Sequence, residues 1–165
     1  MRARASRGMA LLQKGRLGEA AEDLAAARRL GNDEAAIASA LSLCLVEAGR
    51  GGEAREVLRA GLQQHPQDIG LAHNLARLLV TSEDPAVRDP GQGLALAQSV
   101  EKAQGGRDPR IYDTLAAAYA ATGRPDRALE AATQGVALAR SAGDEALAGA
   151  LEARLRSLKR KSPGP

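Results

Sequence analysis

Side chains able to carry out chemistry are sparse in this sequence of 165 residues. The two histidines, His65 and His73, have no second metal ligand at the spacing of a zinc site. Cys44 is the only cysteine, and we expect it to be a small buried hydrophobe. Gly91-Gln92-Gly93 is a partial phosphate-binding pattern that lacks the preceding strand. The sequence therefore predicts no enzymatic activity, no metal site and no cofactor.

A second group of polar residues favours binding over catalysis. Asn74 can donate and accept hydrogen bonds at once, as is needed to hold a peptide backbone. Arg77 and Arg110 can each pair with a carboxylate through two parallel hydrogen bonds. Ordinary solvated surface residues are an equally good interpretation of all three. The elements that carry these side chains decide between the two interpretations.

The composition predicts that those elements are helices. Alanine occurs 36 times and leucine 23 times, whereas the chain has two tyrosines, no phenylalanine and no tryptophan. A β-sandwich or barrel needs β-branched and aromatic residues in quantity. A disordered chain is poorer in apolar residues than the 44% found here. No run reaches the roughly 18 apolar residues of a membrane-spanning helix, so we expect a soluble all-α protein.

The charges are unevenly distributed. The formal net charge is +3, but residues 9–153 carry 15 basic and 20 acidic side chains. The basic excess lies at the two ends, above all in residues 154–161. A basic helix attracts phosphates, although the chain lacks the aromatic residues that stack on single strands. Binding of an anionic polymer such as nucleic acid through this C-terminal helix is therefore only a second alternative function.

A repeat runs through the chain. The segment GRLGEAAEDLAAARRLGND, from residue 15, matches GRGGEAREVLRAGLQQHPQD at an offset of 34 residues. The twentieth position of each unit is small: Ala20, Ala54, Gly93 and Ala128. The eleventh position is large: Leu11, Leu45, Leu79 and Tyr119. Antiparallel helices need small residues where they cross and larger ones beside the crossing, so the pattern predicts stacked helix pairs.

This pattern resembles the tetratricopeptide repeat (TPR) family, whose unit of about 34 residues is a helix–turn–helix. The resemblance implies an all-α solenoid of about four such pairs with a C-terminal capping helix. The repeats would span residues 1–34, 35–68, 69–108 and 109–142, with the cap at 144–161 and a disordered tail at 162–165. An insertion near residues 81–90 lengthens the third repeat, and we expect Pro85 and Pro90 to stop helices there.

The chain departs from the family at two positions that usually hold aromatic residues. At the fourth position Arg4, Ala38 and Ala72 replace the aromatic residue, and only Tyr112 fits. The twenty-fourth position holds Leu24, Leu58, Ala97 and Ala132. Leucine packing is therefore expected to take the place of aromatic rings in the core.

Local patterns mark the ends of the predicted helices. Aspartates precede three of them and are expected to cap their N-termini: Asp33, Asp68 and Asp108. Glycines fall where helices end and turn: Gly15, Gly49 and Gly123. In the ninth helix a leucine stripe suits a helix that covers the last repeat: Leu147, Leu151, Leu155 and Leu158.

The resemblance also implies a function. In TPR proteins the first helix of each pair lines a concave groove, and the matching positions here include Leu43, Val46, His73, Asn74, Arg77 and Arg110. We expect a non-catalytic scaffold that binds a peptide or protein segment in this groove. Asn74 and the two arginines would contact backbone and carboxylate groups, and Leu43 and Val46 would supply apolar contacts.

Other interpretations concern the context of the chain. The segment from residue 74 to residue 132 resembles the last repeats of larger bacterial proteins such as membrane glycosyltransferases. An accessory C-terminal region of such a protein is the first alternative. No capping helix precedes the first repeat, which leaves dimerisation through that repeat open. The compartment is unknown: cytoplasmic by default, and periplasmic or membrane-tethered for a fragment of a larger protein.

Reversing the charges of Arg77 and Arg110 together should abolish partner binding, because both would contact carboxylates in the groove. Helicity should be unchanged, since neither residue is predicted to lie in the core. Circular dichroism and the affinity for an isolated partner test this expectation. An unchanged affinity would contradict the groove hypothesis.

Overall fold

The computed structural model describes the backbone of residues 2–161 and the side chains of residues 2–160. Every regular element in this part of the chain is an α-helix, so the predicted all-α class is confirmed. The described helices are α1 (Arg2–Gln13), α2 (Leu17–Arg29), α3 (Ala35–Glu47), α4 (Gly51–Gln64), α5 (Ile69–Thr81), α6 (Pro90–Ala103), α7 (Pro109–Ala121), α8 (Pro125–Ser141) and α9 (Glu145–Lys161). The predicted tail, residues 162–165, lies outside the described residues.

The helices form two compact units. The first unit contains the described chain up to Leu78 together with Ser82–Val87. The second contains Leu79–Thr81 and the chain from Arg88 onward. Each unit has its own buried residues, and a single solenoid over residues 1–161 stays a prediction.

Small residues lie where helices approach each other. The predicted crossing alanines have no exposed surface: Ala20, Ala54 and Ala128. In the first pair Gly8 faces Leu24, and a Cβ added to Gly8 would lie only 2.8 Å from Leu24 Cγ. The helix backbones therefore come close enough for leucine side chains to fill the space that aromatic rings would otherwise occupy.

The cap helix packs onto the second unit as predicted from its leucine stripe. Ala148 and Leu151 of α9 form a buried cluster with Ala139 of α8. Leu147 and Val136 lie beside this cluster and are partly buried. The contact covers the face of α8 that would otherwise expose apolar side chains.

Two of the three predicted aspartate caps are confirmed. Asp68 accepts a hydrogen bond from the backbone N–H of the residue three positions later, and Asp108 accepts one from the residue two positions later. The prediction for Asp33 is wrong, because Glu34 is the N-cap residue of α3, which begins at Ala35. The Ala38 N–H donates to the Glu34 carbonyl, which places Asp33 outside the first turn.

The insertion interrupts the helices as expected, because α5 ends at Thr81 and α6 begins at Pro90. Pro90 is the first residue of α6, where a missing N–H costs nothing because that donor has no helical partner. The preceding Asp89 caps the helix by accepting from the Gln92 N–H at 2.9 Å. The three predicted turn glycines have left-handed φ angles of 72° to 73°, as expected: Gly15, Gly49 and Gly123.

The insertion near residues 81–90 contributes a buried side chain to the first unit. Val87 is 2% exposed and packs against Gly51 at the start of α4. Arg55 Nη1 donates to the Ala86 carbonyl at 2.6 Å, which fixes the turn on the same helix. Residues 82–87 of the insertion are therefore a packed part of the first unit, and Val87 gives α4 an apolar contact.

The close approach of α7 and α8 predicts opposite effects for two glycine substitutions. A Cβ on Gly135 would lie 2.9 Å from Tyr112 Cβ, whereas a Cβ on Gly149 would meet no atom within 4 Å. Gly135→Ala should lower the free energy of unfolding by about 1–3 kcal/mol, despite the helix preference of alanine. Gly149→Ala should raise it by up to about 1 kcal/mol. Urea unfolding followed by circular dichroism measures both, and equal stabilities would contradict the packing.

Candidate functional site

A groove in the first unit brings together four of the six predicted site residues. It consists of two adjoining cavities of about 510 and 370 Å³ that share Met9 and Ala36. We call it the first-unit groove, and α1, α3 and α5 supply the side chains that matter most: Met9, Ser39, Leu43, Val46, Asn74 and Arg77. The first helices of three successive pairs thus line it.

Asn74 is held in place by the neighbouring helix. Its Nδ2 donates to Ser39 Oγ at 3.1 Å, which links α5 to α3. This hydrogen bond uses one of the two amide N–H groups and fixes the plane of the amide. The second N–H and the amide oxygen are the groups that a bound peptide backbone would need.

Apolar side chains lie exposed beside this amide. Among the described residues, four large apolar side chains are exposed: Met9, Leu30, Leu43 and Ile69. Two of them, Met9 and Leu43, line the first-unit groove with 36% and 37% of their surface exposed. Apolar surface surrounded by polar groups is typical of binding sites, and the half-buried Val46 extends it.

The polar wall of the groove comes from α5. Arg77 is half-buried and lines the cavity one turn after Asn74. His73 is half-buried on the same helix, but the described residues that line the two cavities do not include it. The structure therefore places Arg77 at the groove and His73 beside it.

Arg110 lies in the second unit and is held by a local partner. Its Nε donates to Asp108 Oδ1 at 3.0 Å and its Nη2 to Asp108 Oδ2 at 2.8 Å. These hydrogen bonds, with one from the Arg110 N–H, lower the pKa of Asp108 to about 2. The Arg110 guanidinium, which was predicted to bind a carboxylate of a partner, binds the carboxylate of the N-cap residue Asp108 instead.

A cavity of about 600 Å³ in the second unit has a wall that the sequence did not predict. The C-terminal helix α9 lines it with four residues: Ala150, Arg154, Ser157 and Leu158. Their spacing of four, three and one places them on one helix face. This spacing was the one sequence signal that could have indicated the wall. Arg154 also forms a two-pronged ion pair with Asp113 of α7.

The same ion pair bears on the basic C-terminal helix. Arg154 is directed to Asp113, and Arg156 lies 3.8 Å from Glu152 Oε2. Arg140 of α8 also donates to Glu152, at 2.5 Å. Part of the basic excess is therefore paired with acidic groups of the chain, which lowers the charge available to an anionic polymer.

Two side chains with reactive groups, Cys44 and His65, are either buried or in contact with a backbone carbonyl. Cys44 is fully buried, and burial raises the pKa of its thiol, which suppresses the reactive thiolate. His65 Nε2 lies 2.6 Å from the Asp33 carbonyl.

Within the described residues, no group of three or more His, Cys, Asp or Glu side chains could hold a metal ion. No helix in that same part is both long and apolar enough to cross a bilayer.

A family model described as tetratricopeptide repeat matches residues 11–80, which include α2, α3, α4 and most of α5. This stretch is a tetratricopeptide repeat region. The TPR prediction from the sequence is thereby confirmed, and the match includes every groove residue of α3 and α5. No curated protein sequence matches the chain.

Solved structures extend the likeness to the whole chain. MamA from Desulfovibrio magneticus RS-1, residues 41 to the end, is 17% identical with a TM-score of 0.72 over 99% of this chain and 97% of that one. TTC0263, a TPR protein of Thermus thermophilus, is 18% identical with a TM-score of 0.67 over 98% and 92%. YrrB, described as a TPR protein with an unusual peptide-binding site, is 17% identical with a TM-score of 0.70 over 88% and 70%. At these identities the likeness establishes the TPR fold.

The pairing of Arg110 predicts a change in the titration of Asp108. In Arg110→Gln the pKa of Asp108 should rise from about 2 toward its usual value of 3.8. Because pairing lowers the pKa of the folded state, the stabilisation is complete above pH 3.8 and is lost as the pH falls through about 2. NMR titration of the side-chain carboxyl measures the shift, and an unchanged pKa would show that Arg110 is not its partner.

Proposed function

We propose that the chain is a non-catalytic scaffold that binds an extended peptide or protein segment in the first-unit groove. The observation that carries this proposal is the exposure of Met9 and Leu43 beside the oriented amide of Asn74 in one groove. A closed protein core has no use for such exposed apolar side chains, whereas a binding surface gains free energy by covering them.

Each part of the groove has a partner group of matching chemistry. Met9, Leu43 and Val46 would contact apolar side chains of the segment, and methionine adapts to several shapes. Asn74 would donate to a backbone carbonyl and accept from a backbone N–H. Arg77 would pair with a carboxylate of the bound segment.

The comparisons support this proposal at the level of the fold. Repeat proteins with stacked helix pairs use the surface formed by successive repeats to bind other proteins. YrrB, which shares the fold, is described as having an unusual peptide-binding site.

Three alternative interpretations relate to the first-unit groove in different ways. A role as the accessory repeat region of a larger bacterial protein is compatible with the same groove, because the larger protein would present it. Dimerisation through the first repeat would compete for α1, which supplies Met9. Binding of an anionic polymer is less favoured, because Arg154 is already paired with Asp113.

Peptides selected from a random library on the immobilised protein provide a direct test of the groove. Leu43→Asp should weaken binding of a selected peptide about tenfold or more, because it places a charge in the apolar part of the groove. Asn74→Ala should weaken it about fivefold to tenfold, the usual effect of losing one or two hydrogen bonds. Fluorescence anisotropy measures the affinity.

Leu30→Asp is the matched control, because Leu30 is 52% exposed and does not line the groove. It should leave the affinity unchanged. Arg77 lines the groove and Arg110 does not, so Arg77→Glu should weaken binding and Arg110→Glu should have little effect. Equal losses in Leu43→Asp and Leu30→Asp would refute the groove as the binding surface.

A further inference from the structure

We propose that a cleft between α2 and α4 of the first unit binds a small aromatic molecule that carries an anionic group. The cleft has a volume of about 630 Å³, within the range of small-molecule sites. Its apolar wall includes Ala21, Ala25, Leu41, Leu45 and Val57. We call it the α2–α4 cleft, and it shares no lining residue with the first-unit groove.

The second unit shows what fills the equivalent place. By repeat register, α6, α7 and α8 correspond to α2, α3 and α4, and the cavity between α6 and α8 measures only about 140 Å³. Tyr119 of α7 lines this cavity, and its hydroxyl accepts from Gln98 Nε2 at 3.0 Å. The Arg127 guanidinium lies 5.7 Å from the centre of the Tyr119 ring, which is within the range of a cation–π contact.

The first unit has smaller side chains at the same register positions. Leu45 stands where the second unit has Tyr119, and Ala25 stands where it has Gln98. Equivalent helices form the walls in the two units, but the first unit has no aromatic ring and no polar partner for it at these positions. A ring supplied from outside would therefore occupy a place that the second unit fills from its own chain.

The rim of the cleft indicates the charge of the ligand. Arg50 donates to both carboxylate oxygens of Glu53, at 2.6 and 2.7 Å, so this pair is mutually neutralised. The other charged residues that line the cleft are Arg4, Arg29 and Glu22, two basic and one acidic. The remaining excess is positive, and guanidinium groups bind carboxylate or sulfonate oxygens through parallel N–H groups. An aromatic anion matches both the apolar wall and this rim.

The aromatic sulfonate 1-anilinonaphthalene-8-sulfonate is a suitable first probe, because its fluorescence increases in apolar sites. We expect saturable binding with one probe per chain, measured by fluorescence titration of the natively folded protein. Absence of saturable binding up to millimolar probe would overturn the proposal. Binding of several probes per chain with no defined stoichiometry would overturn it as well.

Two glycines provide a matched pair of variants. Gly18 lines the α2–α4 cleft, and Gly52 is its repeat equivalent in α4, outside the lining. A Cβ at either position would meet no atom within 4 Å, so both sites accept a side chain. Gly18→Leu should weaken probe binding about tenfold or more by occupying the cleft, while Gly52→Leu should leave it unchanged. Equal affinities of the two variants would overturn the proposal.

A charge variant and a spectroscopic measurement complete the test. Arg29→Gln should weaken binding about twofold to fivefold, as expected for one exposed ion pair, and Arg59→Gln, on α4 outside the cleft, should not. In methyl NMR spectra the probe should shift Leu45 and Val57. Shifts confined to Leu43 and Val46 would place the probe in the first-unit groove and overturn the cleft proposal, without bearing on peptide binding.

Discussion

The structure depends on helices that approach each other closely at positions with little or no side chain. Gly8 faces Leu24 and Gly135 faces Tyr112, and a Cβ at either glycine would lie within 3.0 Å of the opposing side chain. A core poor in aromatic residues cannot fill wide gaps between helices, so its stability requires short distances. Alanine and glycine at the crossings are therefore part of the packing, and the high alanine content is its direct consequence.

The same constraint explains why the two units differ in their surfaces. In the second unit Tyr119 reaches across to Gln98 and Arg127 and fills the space between α6 and α8. In the first unit Leu45 cannot reach as far, and a cleft remains. Differences at two register positions, Leu45 against Tyr119 and Ala25 against Gln98, thus accompany a cleft of about 630 Å³ in the first unit and an equivalent cavity of about 140 Å³ in the second. Repeats with one fold can carry different sites because such positions vary.

Features set by backbone conformation or by the repeat register were predictable, whereas the partners of particular side chains and the packing of α9 were not. The turn glycines and the caps Asp68 and Asp108 follow from backbone conformation and from hydrogen bonds within three residues. The groove residues of α3 and α5 follow from the repeat register. The pairing of Arg110 with Asp108 could not be read from spacing, because the arginine is equally able to extend toward a ligand. The contribution of α9 to a cavity depends on how that helix packs, which its leucine stripe alone does not specify.

Packing in the core also determines the geometry of the proposed peptide site. Ala38 of α3, Gly61 of α4 and Leu71 of α5 meet at one point, where a Cβ on Gly61 would lie 3.2 Å from Ala38 Cβ and 3.0 Å from Leu71 Cδ1. This contact sets the spacing of α3 and α5, and the hydrogen bond from Asn74 to Ser39 spans the same two helices. Ala38 occupies the position where the family usually has an aromatic residue. The amide of Asn74 is therefore oriented before any peptide arrives, and an oriented group loses less conformational entropy on binding.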